Sequence, residues 1–139
     1  RKEKRDSVGA YQMMDEYVQS LERQIRALGE TISRFEIVPQ SREEEFVFIS
    51  GEIQFSDGTF LHFREYVELK EGHVPRRYKY AYHYQRADED IIFHYDNARH
   101  FPHLPTAPHH KHIGETEVVA ADAPDLQSVL NEIETLIKA

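Results

Sequence analysis

Two hydrophobic periods divide this chain of 139 residues and limit the folds available to it. Near the N-terminus, apolar side chains recur at alternating steps of three and four, which is the period of an amphipathic helix. After Pro39 the period becomes two, as is typical of strands with one buried face. The order of these periods predicts an α+β fold that begins with a helix.

The first apolar stripe is narrow. It consists of Tyr11, Met14, Val18, Leu21, Ile25, Leu28 and Ile32. Asp6 or Ser7 is a suitable cap for the start of this helix, and Gly29 lies near its expected end. A stripe at heptad spacing also suits a partner helix, which leaves a homo-oligomer through the N-terminal helix open. We expect the stripe to pack on the domain's own sheet.

Short turns between the alternating segments predict an antiparallel sheet of four to five strands. Residues 56–59 read as a hairpin turn after the first strand, and residues 71–72 supply the next turn. A third strand over residues 76–86 turns into a fourth, Ile91–Asp96, and a short strand at Glu117–Ala120 follows later.

The chain ends on a second amphipathic segment, which predicts a C-terminal helix capped by Asp122 or a neighbour. Its stripe is Leu126, Val129, Leu130, Ile133, Leu136 and Ile137. Residues 97–114 carry three prolines and little periodicity, so we expect a long functional loop there. Residues 1–139 are therefore predicted to form one α+β domain, an antiparallel sheet flanked by an N-terminal and a C-terminal helix.

Charge and composition limit the partners. The formal charge of −8 argues against broad, charge-driven binding to nucleic acid, so any RNA contact must be local. The absence of cysteine removes disulfides and thiol nucleophiles and suits a reducing cytoplasm, which is the expected location. No apolar run approaches membrane-spanning length, so no membrane contact is expected.

The segment from His94 to His112 holds six of the nine histidines. Beside them in the sequence are Asp96, Asn97, Arg99 and Lys111. A solvated loop has no folding reason to collect so many groups that titrate, ligate or donate near neutral pH. We therefore expect a functional site in this segment.

Two chemistries are open to this segment. Imidazoles suit zinc and other transition metals, and Asp96 adds a carboxylate, so a divalent transition metal at the histidine cluster is one alternative. However, His109 and His110 are adjacent and point apart in an extended chain. The helical two-histidine spacing of metalloproteases is also absent. We therefore favour chemistry without a cofactor.

In the metal-free reading, imidazoles serve as general acid and base while cations stabilise a phosphate. The acid or base is His109, His110 or His112. Lys111 and Arg99 are the cations, and Asp96 orients a histidine through its ring N–H.

Glu65 is the exception in its strand, because alternation places it on the same face as Leu61, Phe63 and Val67. An unpaired buried carboxylate is costly, so a cation or histidine partner is expected. A catalytic role and a structural ion pair both remain open for Glu65.

The third strand carries a row of tyrosines. Alternation predicts one face with Tyr78, Tyr80, Tyr82 and Tyr84, and the other face with Arg77, Lys79 and His83. Aromatic rings on a sheet can stack bases, and interleaved cations can hold phosphates. The residues proposed to contact a substrate are Tyr82, His83, Tyr84, Asn97 and Arg99. Taken alone, such a row is more often core.

Three segments of the chain together resemble the TumE family. They are the runs at residues 80–85, 92–98 and 108–112, and the likeness extends from about Phe46 through the last helix. The resemblance implies a cytoplasmic prokaryotic toxin of a toxin–antitoxin module. It also implies a cognate antitoxin, often a DNA-binding protein, as partner.

Two functions follow from the residues and the resemblance. The first is a toxin that acts on RNA as a metal-independent endoribonuclease through the His/Lys/Asp cluster. The second is a non-catalytic module whose histidine-rich loop docks an antitoxin or a nucleoprotein complex. Cleavage of RNA by the purified protein, with and without EDTA, distinguishes them.

Overall fold

The computed structural model describes residues 2–139, with side chains from Gly9 onward. Its elements are α1 (Lys2–Arg26), β1 (Ile32–Ser41), β2 (Phe46–Phe55), β3 (Phe60–Glu68), β4 (Arg76–Gln85), β5 (Ile91–Asp96), β6 (His110–Ile113), β7 (Glu117–Ala120) and α2 (Leu126–Lys138). All seven strands form one antiparallel sheet whose strands follow chain order. The predicted α+β class with two flanking helices is confirmed, whereas the predicted count of four to five strands is wrong.

One missed strand is β1. Helix α1 ends at Arg26, several residues before its predicted stripe does, and a 3-10 turn over Gly29–Thr31 leads directly into β1. Pro39 lies inside β1 and pairs with Ile49 of β2. A proline has no N–H for a ladder, but β1 is the outermost strand, where one side of the backbone needs no partner.

The second missed strand is β6, which lies inside the segment predicted to be a loop. His110 and His112 alternate with Lys111 and Ile113, and the strand pairs with β5 on one side and β7 on the other. Because neither face of β6 is a run of apolar residues, its alternation gave no hydrophobic signal. The loop is therefore confined to residues 97–109.

Both helices pack on one face of the sheet, which we call the inner face. Leu21 and Ile25 of α1 join the buried cluster with Leu126 and Ile133 of α2. The prediction that the first stripe packs on the domain's own sheet is confirmed. Helix α2 is capped by Asp125, three residues after Asp122, and the carboxylate of Asp125 accepts the N–H of Ser128 in a capping box.

A β-bulge changes the predicted faces of β4. The pairing of β3 with β4 shifts between Tyr66 and Val67, so that Val67 pairs with Arg77 and Tyr78 is skipped. Arg77 therefore joins Tyr80 and Tyr82 on the inner face, and the exposed Tyr78 leaves the tyrosine row. The sequence alternation was wrong for these two residues, because a bulge inserts one residue and reverses every side chain beyond it.

No helix of the described residues is long and apolar enough to cross a membrane.

Candidate functional site

The register of four adjacent strands aligns four histidines across the face opposite the helices, which we call the outer face. His62 pairs with His83, His83 with His94, and His94 with His112. Successive ring centroids lie 6.5, 5.2 and 5.5 Å apart. We call these four residues the histidine row. Sequence reasoning missed His62, because only the pairing of β3 with β4 connects it to the others.

Asp96 and His110 lie beside the row, in the next register position of β5 and β6. His94 Nε2 lies 2.7 Å from Asp96 Oδ2, and His110 Nε2 lies 3.0 Å from Asp96 Oδ1. The backbone N–H of Ala98 also donates to Asp96 Oδ1, at 2.8 Å. The loop thus returns as β6 and brings His110 and His112 to Asp96.

The hydrogen bonds of Asp96 determine the tautomers of two row members. A carboxylate can only accept, so His94 carries its proton on Nε2. In the state in which His94 is uncharged, its Nδ1 accepts and the Nδ1–H of His83, 3.0 Å away, donates. His83 is left with Nε2 as its basic nitrogen. A base oriented by a second imidazole and a carboxylate is the arrangement that proton-transfer sites require.

The electrostatic environment disfavours the charged form of two row members, His83 and His112. Burial lowers the pKa of His83, and the nearby charge of His94 lowers it further. Burial also lowers the pKa of His112, with His110 and His94 adding to the effect. Burial alone would raise the pKa of Asp96, but the hydrogen bonds from His94 and Ala98 outweigh it and the pKa falls. The site therefore favours an ionised Asp96 and the uncharged forms of His83 and His112.

Residues 97–109 cover one end of the row. The ring of Phe101 lies 4.8 Å from the ring of His110 and 5.7 Å from that of His112, both edge-on. His110 is 1% exposed as a result, whereas His62 at the other end of the row is exposed. Asp96, His110 and His112 each present one ligand atom, all within 4.8 Å of one another, so these three residues can hold a metal ion.

Three exposed cations accompany the site. Arg64 lies on the outer face next to the row, Lys79 lies on the same face one position farther along the strands, and Arg99 lies on the loop. None of the three makes an ion pair within the described residues. Arg64 is close enough to His83 for its charge to lower the pKa of that imidazole.

Two residues of the predicted cluster lie on the other face of the sheet. Lys111 points to the inner face, where its Nζ lies 2.7 Å from Glu132 Oε2 of α2. His109 stacks on Tyr80, and its Nδ1 lies 2.8 Å from the hydroxyl of that tyrosine. Alternation along β6 separates both residues from His110 and His112.

Glu65 lies in a separate polar network under the helices. It is 2% exposed and accepts hydrogen bonds from the hydroxyls of Tyr17 and Tyr82. Arg77 lies 4.0 Å away, so the expected cation partner exists, although it is not a member of the histidine cluster. Burial, followed by the negative charge of Glu65, raises the pKa of both Tyr17 and Tyr82 well above the usual range.

Three residues predicted to contact a substrate have structural environments instead. Tyr82 and Tyr84 are 0% and 1% exposed, so neither ring presents a face to a base. Asn97 accepts the N–H of Tyr80 and donates to the carbonyl of Tyr78, which extends the pairing of β4 beyond the end of β5. Of the predicted substrate contacts, only His83 and Arg99 remain available on the outer face or the loop.

These features define a small α+β protein with a seven-stranded antiparallel sheet, helices on one face and a histidine-rich site on the other. The family model described as "Toxin TumE" matches residues 21–138. The chain therefore belongs to the TumE toxin family, which implies a toxin–antitoxin module and a cognate antitoxin as partner. No curated protein and no solved structure matches the chain.

Proposed function

We propose that this toxin acts by cleaving RNA, and that the outer-face site carries the chemistry. The observation that supports this most is the hydrogen-bonded chain from His83 through His94 to Asp96, beside the unpaired cation Arg64. Such a chain orients the imidazole of His83, and a general base must be positioned within hydrogen-bond reach of the proton that it accepts.

The proposed reaction is a transesterification. His83 Nε2 accepts the proton of a ribose 2′-hydroxyl, whose oxygen attacks the adjacent phosphorus. The bond from phosphorus to the 5′-oxygen breaks, and His62 returns a proton to that oxygen. The products are a 2′,3′-cyclic phosphate and a 5′-hydroxyl. Arg64 neutralises charge on the phosphate, while His94 and Asp96 are positioning residues.

This proposal changes the roles predicted from the sequence. Lys111 is held by Glu132 on the inner face, so Arg64 replaces it as the cation, with Arg99 beside the loop. Glu65 and His109 are excluded from the reaction because they lie on the inner side of the sheet. The net charge of −8 is compatible with RNA only because these cations form a local patch on one face.

The test uses a labelled oligoribonucleotide and the oligodeoxyribonucleotide of the same sequence. We expect the purified toxin to cut only the first, because the second has no 2′-hydroxyl. His83→Ala should reduce the rate by about a hundredfold or more, the usual contribution of a general base. His73→Ala is the matched control, since it removes an exposed imidazole from the β3–β4 connection.

A second outcome separates the two functions drawn from the sequence. If wild-type toxin leaves all RNA intact but binds its antitoxin through residues 97–112, the protein is the non-catalytic docking module. Equal cleavage by wild-type protein and His83→Ala would instead refute the assignment of the base.

A further inference from the structure

We propose that Asp96, His110 and His112 bind one divalent transition metal ion, at the end of the site beneath Phe101. The binding itself is independent of the proposed function, and only the role of the ion in catalysis rests on it. The environment of His110 is the main evidence for this proposal.

His110 is a buried imidazole with one nitrogen left over. Its Nδ1 must donate to the carbonyl of Pro108, 2.9 Å away, because a carbonyl can only accept. Its Nε2 is therefore the ring nitrogen that is free to bind a metal ion. Although Nε2 lies 3.0 Å from Asp96 Oδ1, the ring is turned so that no hydrogen bond forms, and Nε2 is buried without a hydrogen-bond partner.

A buried imidazole nitrogen that faces a carboxylate without a hydrogen bond is unfavourable unless a cation lies between the two atoms. A metal ion would be bound by both atoms at once. Metal ligands also need hydrogen-bond partners that orient them. A ligating histidine usually donates its other N–H to a carboxylate, a water or a backbone carbonyl. Pro108 supplies that carbonyl for His110, and His94 and Ala98 orient Asp96.

The spacing of the three ligand atoms is close to that of a tetrahedral site. Metal–ligand bonds of about 2.0–2.2 Å place two ligands about 3.3 Å apart. The pair formed by His110 Nε2 and Asp96 Oδ1 is 3.0 Å apart, and all three atoms lie within 4.8 Å of one another. A rotation of the half-buried His112 side chain brings the third ligand into range. Three protein ligands leave the fourth position for water or substrate, as in catalytic zinc sites.

The donor set selects the class of metal. Two imidazoles and one carboxylate favour zinc and related late first-row divalent ions, whereas magnesium and calcium prefer oxygen ligands only. In the proposed reaction this ion supplies, at the covered end of the site, the positive charge that Lys111 cannot supply.

Metal binding is tested without RNA. The full chain is stripped with a chelator, dialysed against zinc alone or magnesium alone, and its metal content is measured. We expect one zinc ion per chain and no retained magnesium. His112→Ala should weaken zinc binding by more than about a hundredfold, because loss of an outer-shell partner alone costs about 10- to 100-fold.

Two further variants locate the site. His94→Ala should weaken zinc binding by about 10- to 100-fold, since His94 orients the ligand Asp96 without binding the ion. His109→Ala is the matched control, because it removes the neighbouring imidazole that faces the other way, and it should keep wild-type affinity. Zinc affinity unchanged in His112→Ala, or lost equally in His109→Ala, would overturn the proposal.

A spectroscopic measurement on the wild-type chain keeps the test valid even if a variant does not fold. Cobalt(II) bound to these ligands should show the visible absorption of a four- or five-coordinate ion and should be displaced by zinc. A spectrum of fully hydrated cobalt would refute the site. Zinc binding without RNA cleavage would refute only the proposed function, and cleavage without zinc binding would refute only the metal site.

Discussion

Replacement of Glu65 tests whether the inner-face network is structural. In Glu65→Leu, the buried hydroxyls of Tyr17 and Tyr82 lose their common acceptor, and the guanidinium of Arg77 loses its charge partner. Each orphaned buried donor costs about 1–3 kcal/mol, and breaking a buried ion pair costs about 3–5 kcal/mol in total. We therefore expect the free energy of unfolding to fall by about 3–5 kcal/mol.

Glu65→Gln is the matched control, because its amide oxygen keeps one acceptor and its volume is unchanged. It should be destabilised by less than Glu65→Leu. Urea unfolding followed by circular dichroism measures both values, and the lower stability should appear as a lower midpoint with an unchanged slope. If Glu65→Leu is as stable as the wild type, the hydrogen bonds from Tyr17 and Tyr82 to the carboxylate do not stabilise the fold, which would contradict a structural role for Glu65.

Three other perturbations test particular contacts. Gly51→Ala should destabilise the fold by about 1–3 kcal/mol, because its Cβ would lie 2.1 Å from the ring of Phe63. Adding Phe63→Leu to this variant should recover part of the lost stability in a thermal unfolding scan. Lys111→Ala should lower stability by about 1 kcal/mol or less, since its ion pair is partly exposed. The same variant should keep the wild-type rate of RNA cleavage per folded molecule. A loss of cleavage without unfolding would show that Lys111 takes part in the reaction. Stability should fall between about pH 10 and 12, because burial raises the pKa of Tyr80 to about 12. The folded state then keeps a proton that the unfolded chain releases. Urea midpoints across this range check the sign, and Tyr80→Phe should flatten the slope.

The elements that sequence alone identified have strong local signals. The stripe of α1, the turn at residues 56–59, the strand Ile91–Asp96 and the capped helix α2 all follow from periodicity and turn chemistry. The location of the site in the segment from His94 to His112 also came from composition, because clustered ionisable residues need no three-dimensional information to be noticed.

The membership of the site depends on strand register, which the sequence does not display. His62 and His83 join His94 and His112 only because β3, β4, β5 and β6 pair in a particular alignment. The sequence does not show that His110–Ile113 is a strand. Without that knowledge, one cannot tell that Lys111 lies on the opposite face from His110 and His112.

Sequence by itself determined the class of fold, the packing of both helices and the segment that holds the candidate chemistry. Only the tertiary structure decided which side chains share a face. The physical reason is that side chains in a strand alternate with a period of two, so one bulged residue reverses every position beyond it. The bulge in β4 places Arg77 on the inner face, near Glu65 and beneath the helices. The pairing of β6 with β5 places His110 beside Asp96 on the outer face.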